Sequence, residues 1–415
     1  MIRKLALGFV VSLCIVVASA GCAAEANSAA GSTRATTAGS GPNSSGSSST
    51  AATEPTTTTT TEAQAKTFLR QMTLRQKAAQ VLLLDFTGVE TGSAQLRQLL
   101  DDSPPGGLMI MGRNVQSGRQ LESMIAFFQE AAAKGGSPVQ LLIAVDQEGG
   151  SVQRIREDVA AIPAARTLGG TSTPAKAAEI ATRTATELLA LGINMNLAPV
   201  ADVVKAKGAF LYSRTYSGDP ARVAEYVTAV SNAFDRKGLI TVLKHFPGHG
   251  SASGNTHNAA VISTATREEF ETVHLVPFEA GIAAGAEGVL VAHVVAKAYD
   301  SKHPATSSEK VVEGLLREQL GFTGVVLTDA LEMAAARTVD GEVASSGPEA
   351  VAETAVSALK AGCDLLISTG TFSSQLVMLD TIVSAVKSGR LPLTRLNDAV
   401  MRILELKVRH GLETE

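Results

Sequence analysis

Eight short apolar runs, most of them separated by an amphipathic helical pattern, constrain this chain more than any other feature. They cover residues 79–86, 107–111, 139–145, 194–199, 241–243, 288–293, 324–328 and 364–368. Apolar positions with helical spacing fill 117–134, 174–191, 220–237, 308–320 and 348–361 between them. Strands that alternate with helices must run parallel, which leaves an α/β (β/α)8 TIM-like barrel or a doubly wound open sheet. The ends of the runs separate the two. Asp146 follows the third run, Asp202 the fourth and Lys244-His245 the fifth, while His293 and Asp329 close the sixth and seventh. A barrel gathers all of these on one rim, whereas an open sheet concentrates its ligand groups at a single switch point. Polar groups at five successive strand ends favour the barrel.

The first residues read as an export signal. Ile2-Arg3-Lys4 is a basic start, residues 5–17 are apolar but too short to span a membrane, and Ser19-Ala20-Gly21-Cys22 is a small-residue processing site. Residues 1–21 resemble a bacterial lipoprotein signal peptide, with Cys22 as the lipidated residue; an ordinary secretory signal is the alternative. A lipid on Cys22 implies a membrane anchor facing outside the cytoplasm, at the cell envelope. Residues 22–62, rich in Ala, Ser, Thr and Gly, bury too little apolar surface to order themselves and read as a disordered tether. Residues 63–415 then read as one barrel domain. With Cys14 removed and Cys22 acylated, only Cys363 remains of three cysteines, so no intramolecular disulfide is expected. A net charge of −4 and the lack of a basic patch argue against nucleic acid. The absence of Trp argues against a long stacking groove for polysaccharide.

The segment 244–257, Lys-His-Phe-Pro-Gly-His-Gly-Ser-Ala-Ser-Gly-Asn-Thr-His, begins where the fifth apolar run stops and has neither helical nor strand period. It reads as a loop that carries chemistry. His245, His249 and His257 raise the question of zinc, but Pro247 and Gly248 exclude the helix that would put the first two on one face. No metal and no cofactor are expected.

Five motifs in this order resemble the β-N-acetylglucosaminidase branch of glycoside hydrolase family 3, the NagZ-like enzymes. They are Asp146-Gln147-Glu148-Gly149-Gly150 with Val152-Gln153-Arg154, Gly192-Ile193-Asn194 with Ala198-Pro199-Val200-Ala201-Asp202-Val203, and Ser213-Arg214-Thr215-Tyr216. Lys244 to Gly250 and Thr328-Asp329-Ala330-Leu331-Glu332-Met333 complete the set. The resemblance implies a barrel that removes terminal β-linked N-acetylglucosamine with retention, through a covalent glycosyl-enzyme. By resemblance Asp329 is the nucleophile, and its place at a strand end suits a rigid, shielded carboxylate; an N-cap Asp is the other reading. His257 corresponds to the family's acid/base on the loop after strand five. The family has Asp where this chain has Asn255, which implies a weakened acid/base, with the Asn255 side-chain oxygen offered to the ring N–H.

The resemblance further makes Asp146 an acceptor from sugar hydroxyls and Arg154, Arg214, Lys244 and His245 donors to hydroxyls and acetamido oxygen. His249 and Gly250 shape the loop, Glu148 makes a structural turn, and His293 is either a rim contact or a structural hydrogen bond. Family and location together imply a small glycan substrate from the cell wall, of muropeptide type, and a monomer. A β-glucosidase or β-xylosidase of the same family is the nearest rival, and a catalytically impaired glycan-binding lipoprotein is the rival from another class. The sequence leaves the leaving group open between MurNAc, 1,6-anhydro-MurNAc and a chitin-type sugar.

Overall fold

The computed structural model describes residues 56–414. The expected signal peptide, Cys22 and most of the tether lie outside that range. Eight parallel strands, named β1 to β8 here, are Leu82–Asp85, Gly107–Ile110, Leu142–Val145, Met195–Asn196, Ile240–Phe246, Gly288–Val291, Val325–Thr328 and Leu366–Ser368. From β1 to β7 each pairs with the next in chain order, and β1 also pairs with β8. A bridge between Leu327 and Leu365, with Thr328 N–H donating to Leu365 O, joins β7 to the start of β8 and closes the barrel. Every residue of these strands is buried, as strands covered on both faces must be.

The helices outside the strands begin where local chemistry lets them. Ser117, Thr173, Asp219 and Thr371 accept hydrogen bonds from first-turn N–H groups, and Pro174, Pro220 and Pro348 occupy first helical positions. The helix Pro174–Ala190 packs on Pro220–Asp235, and Pro348–Ala361 packs on Phe372–Lys387. Residues 310–319 are helical as expected, but the whole segment is wound with a five-residue step, which ends with Leu320 N–H donating to Leu315 O.

Three local expectations are corrected. The sequence places the end of the tether at residue 62, yet the helix Thr56–Gln71 already covers its last residues. This helix lies against Leu393–Arg409 and buries Ala65, so packing outweighs the weak helix propensity of the Thr run. The first run loses Ala79 and Gln80 to the helix Leu74–Gln80, whose start is a Thr73/Gln76 capping box. Finally, β5 does not stop at Leu243 but continues through Lys244 and His245 to Phe246. Residues 197–201 run beside it: Ala201 N–H donates to Lys244 O and Lys244 N–H to Pro199 O. β4 itself covers only Met195–Asn196, and Pro199 has no N–H to give to the continued pairing.

Candidate active site

The carboxyl ends of the strands surround a cavity of about 570 Å³. Asp146, Arg154, Arg214, Lys244, His245, His257 and Asp329 all line it, so chain positions nearly two hundred residues apart meet in one space.

One wall is a charge cluster. Lys244 Nζ lies 2.6 Å from Asp146 Oδ1 and 2.6 Å from Glu148 Oε1. Arg214 forks onto Glu148 with Nε at 2.8 Å and Nη2 at 2.7 Å, and Arg154 Nη2 stands 3.3 Å from Asp146 Oδ2. Lys244 and Glu148 keep only 3% and 4% of their side-chain exposure, so the pair interacts where water screens little. Burial alone would raise the carboxyls, but Lys244 and Arg214 bring Glu148 down to about 2. Burial opposes ionisation of Asp146 too, yet Lys244 and Arg154 hold its carboxyl below the ordinary range. Lys244 goes up despite burial because Asp146 and Glu148 face it. All three groups therefore stay charged at neutral pH. Three cations against two carboxylates leave donor capacity directed at the cavity.

The backbone that presents this wall depends on its glycines. After β3 the chain folds into a tight hairpin, 147–153, with Gly149 at φ 102°. A Cβ there would stand 2.7 Å from Pro163 O. Gln147 holds the far arm by accepting from Arg154 N–H and Ile155 N–H, at 3.0 and 3.1 Å. Glu148 is thus more than the structural turn expected of it, because its carboxylate anchors both Lys244 and Arg214.

His245 is oriented from behind. Asp202, fully buried, has Oδ2 2.7 Å from His245 Nδ1, and it also accepts from His245 N–H and Gly250 N–H. Burial disfavours its charge, but the contact with His245 keeps it below the ordinary carboxylate range. A proton on Nδ1, shared with Asp202, turns Nε2 toward Arg214 Nη2, 3.4 Å away.

On the opposite side Asp329 follows β7. Its N–H donates to Val291 O at 3.0 Å and its Oδ1 accepts from Ala330 N–H at 2.8 Å. Burial works against the ionised form, but His245, His293, the Ala330 N–H and Lys244 together hold the carboxyl low. His293 itself does not line the cavity. Its Nδ1 lies 2.8 Å from Thr306 Oγ1 and its Nε2 3.0 Å from Ala330 O, so of the two roles considered for it the structural hydrogen bond is the one seen. That bond steadies the residue after Asp329.

His257 sits exposed at the cavity mouth. The loop that carries it is tied to the loop after β7: Ala334 N–H donates to His257 O, and Ala335 N–H to Thr256 O. Asn255 behaves differently from expectation. Its Oδ1 accepts from the backbone N–H of His257 at 3.0 Å and does not reach the imidazole, because an Asn side chain closes readily onto the N–H two residues ahead. His249 is buried on the cavity wall with Nε2 3.5 Å from Thr256 Oγ1, in keeping with a loop-shaping part.

The profile for the glycosyl hydrolase family 3 N terminal domain matches residues 73–406, which contain this whole site. The chain belongs to glycosyl hydrolase family 3. A beta-hexosaminidase of Xylella fastidiosa (strain M23) is 37% identical over 293 residues, covering 69% of this chain and 82% of that protein. A solved family 3 beta-N-acetylglucosaminidase from Paenibacillus sp. str. FPU-7 superposes with a TM-score of 0.77 at 36% identity. That match covers 83% of this chain and 64% of the Paenibacillus chain. NagZ from Neisseria gonorrhoeae, solved with N-trifluoroacetyl-D-glucosamine, gives 0.66 at 27% identity over 79% of this chain and 89% of its own. The family 3 chain described here is therefore a glycoside hydrolase with the barrel of that family.

Several cavity residues escaped the sequence reading. Asp85 ends β1 and is ion-paired with Arg113; burial is the main influence on its carboxyl and raises it, with Arg113 opposing. Glu332 accepts from Ser368 Oγ at 2.6 Å and Thr369 N–H at 2.8 Å, and so fastens the loop after β7 to β8. The rule that singled out Asp146 and Asp329, a carboxylate at a strand end, applies equally to Asp85. Nothing local marks Arg113, on the single helical turn Gly112–Asn114, or Phe210, on the loop after β4, as cavity residues.

Proposed function

We propose that this chain is a retaining exo-β-N-acetylglucosaminidase in which Asp329 attacks the anomeric carbon and His257 acts as acid/base. The observation that carries this reading is that both groups line one cavity whose far wall is the Asp146, Lys244, Arg154 and Arg214 cluster. In the first step an Asp329 oxygen bonds to the anomeric carbon, the glycosidic bond breaks, and the His257 imidazolium gives its proton to the leaving oxygen. In the second step neutral His257 takes a proton from water, whose oxygen displaces Asp329 and restores its carboxylate. A histidine suits this exchange because it does not put a second negative charge beside the nucleophile. The names of the relatives and the N-trifluoroacetyl-D-glucosamine held by the Neisseria protein support an N-acetylated hexosamine as substrate.

The natural substrate, in this reading, is a cell-wall fragment of muropeptide type, met outside the cytoplasm by a monomer anchored through lipid on Cys22. Its motive is the Ser19-Ala20-Gly21-Cys22 processing site, and labelling with a fatty-acid analogue in a bacterial host tests it, with Cys22→Ala as control. The catalytic assignment is tested with an aryl β-N-acetylglucosaminide. Asp329→Asn is expected to lower kcat at least about a thousandfold while the sugar still binds. Unchanged turnover in Asp329→Asn, or faster release from an aryl β-glucoside by the unaltered chain, would defeat the assignment.

A further inference from the structure

Phe210 is an anomaly on this surface. The residue keeps 45% of its exposure, and among the described residues only Val339, Val343 and Leu393 are exposed large apolar residues with it. It also lines the catalytic cavity. Its ring centroid lies 6.4 Å from that of His257, edge to face, and 6.3 Å from that of His249. The Arg214 guanidinium stands 5.8 Å from the same centroid. An apolar ring left open to water at the mouth of a polar pocket costs solvation that packing has not recovered.

The loop around it is not slack. Ala209 N–H donates to Ala206 O and Tyr212 N–H to Ala209 O, so two successive turns set the backbone on either side. Leu211 is buried, Tyr212 stacks under Arg166 at 4.1 Å, and Arg214 is locked to Glu148. The ring is therefore presented by an anchored frame rather than left over at a loop tip.

We propose that Phe210 is the platform of a leaving-group subsite, on which the pyranose ring departing from the scissile oxygen rests its apolar C–H face. The inference depends on the assignment of His257 as acid/base, because the group that protonates the leaving oxygen must stand on the leaving-group side of the bond, and Phe210 stands beside that group. A sugar presents an apolar face as well as hydroxyls, and burying that face against an aromatic ring removes both surfaces from water. The ligand class is a second pyranose, as in a β-linked N-acetylglucosaminyl disaccharide. The glycosyl-enzyme has lost that sugar, so Phe210 should act on bond cleavage and not on the water step.

The test compares a β-linked N-acetylglucosaminyl disaccharide with methyl β-N-acetylglucosaminide, whose leaving group needs the same proton from His257 but is too small to reach the ring. Phe210→Ala is expected to lower kcat/KM about tenfold on the disaccharide and to leave the methyl glycoside unchanged, with Phe210→Tyr restoring the disaccharide rate. Full activity of Phe210→Ala on the methyl glycoside also reports that the variant is folded and that His257 is undisturbed. An equal fall on both substrates, or no fall on the disaccharide, overturns the subsite while the catalytic assignment stands. An unaltered chain inert on both substrates overturns that assignment, and this inference with it.

Discussion

Replacing Glu148 by Gln removes one buried charge and almost no volume, which isolates the electrostatic part of the cavity wall. Glu148 goes from an ordinary 4.5 to about 2 in the folded chain, because Lys244 and Arg214 outweigh the burial that opposes its charge. A shift of that size corresponds to about 3 kcal/mol of folding free energy at neutral pH. The sign follows from the direction: a depressed carboxyl contributes fully above 4.5 and loses its contribution as the pH falls toward 2. Glu148→Gln should thus be about 3 kcal/mol less stable than the unaltered chain at pH 7, within the range found for breaking one side of a buried pair. The gap should close as the pH is lowered, since the unaltered chain then protonates Glu148 as well. Urea unfolding of both proteins at neutral pH and at stepwise lower pH measures this, with the slope m expected to match. In the same variant KM should rise, because Arg214 loses its fork and Lys244 one of two partners. A stability difference under about 1 kcal/mol that does not change with pH would refute the argument, since it would mean that solvent already screens the cluster.

Other outcomes follow from single contacts. Asn255→Asp puts a carboxylate beside the acid/base and should raise turnover of a substrate with a poor leaving group severalfold, by about 1 kcal/mol, the scale of an exposed ion pair. No gain on such a substrate would remove position 255 from the reaction, and the bond from Asn255 Oδ1 to His257 N–H would then be its whole part. Lys407 is fully buried with Gln80 Oε1 at 3.0 Å, and burial brings it from 10.5 down to about 7. Between those two values the unfolded chain binds a proton that the folded chain does not, so stability should rise with pH across that window. Lys407→Met should flatten this rise and gain up to about 4 kcal/mol near neutral pH, less the cost of leaving the Gln80 carbonyl unpaired. Thermal melts across the window decide it, and parallel curves for the two proteins would contradict the reasoning.

The sequence alone determined the alternation of strands and helices, and with it the barrel and its reactive rim. Those features are local: a buried run, a cap, a proline at the first turn and a carboxylate at a strand end each depend on a few neighbouring residues. Asp146, Lys244, His245 and Asp329 could be picked out because strand direction sends the residues at one end of every parallel strand to the same rim. Only the tertiary structure decided who holds whom. That β5 runs on through Lys244 and His245 depends on pairing with residues 197–201, and that Glu148 is an anchor depends on cations 66 and 96 residues away in the chain. Asn255 turned from its expected partner for an equally local reason that the motif did not reveal, a backbone N–H two residues ahead and within reach. Ion pairing and aromatic exposure are properties of distance in space, and separation along the chain fixes that distance only inside a helix, a strand or a turn. Arg113 and Phe210 sit on short turns, which fix only their nearest neighbours and not their distance from the cavity.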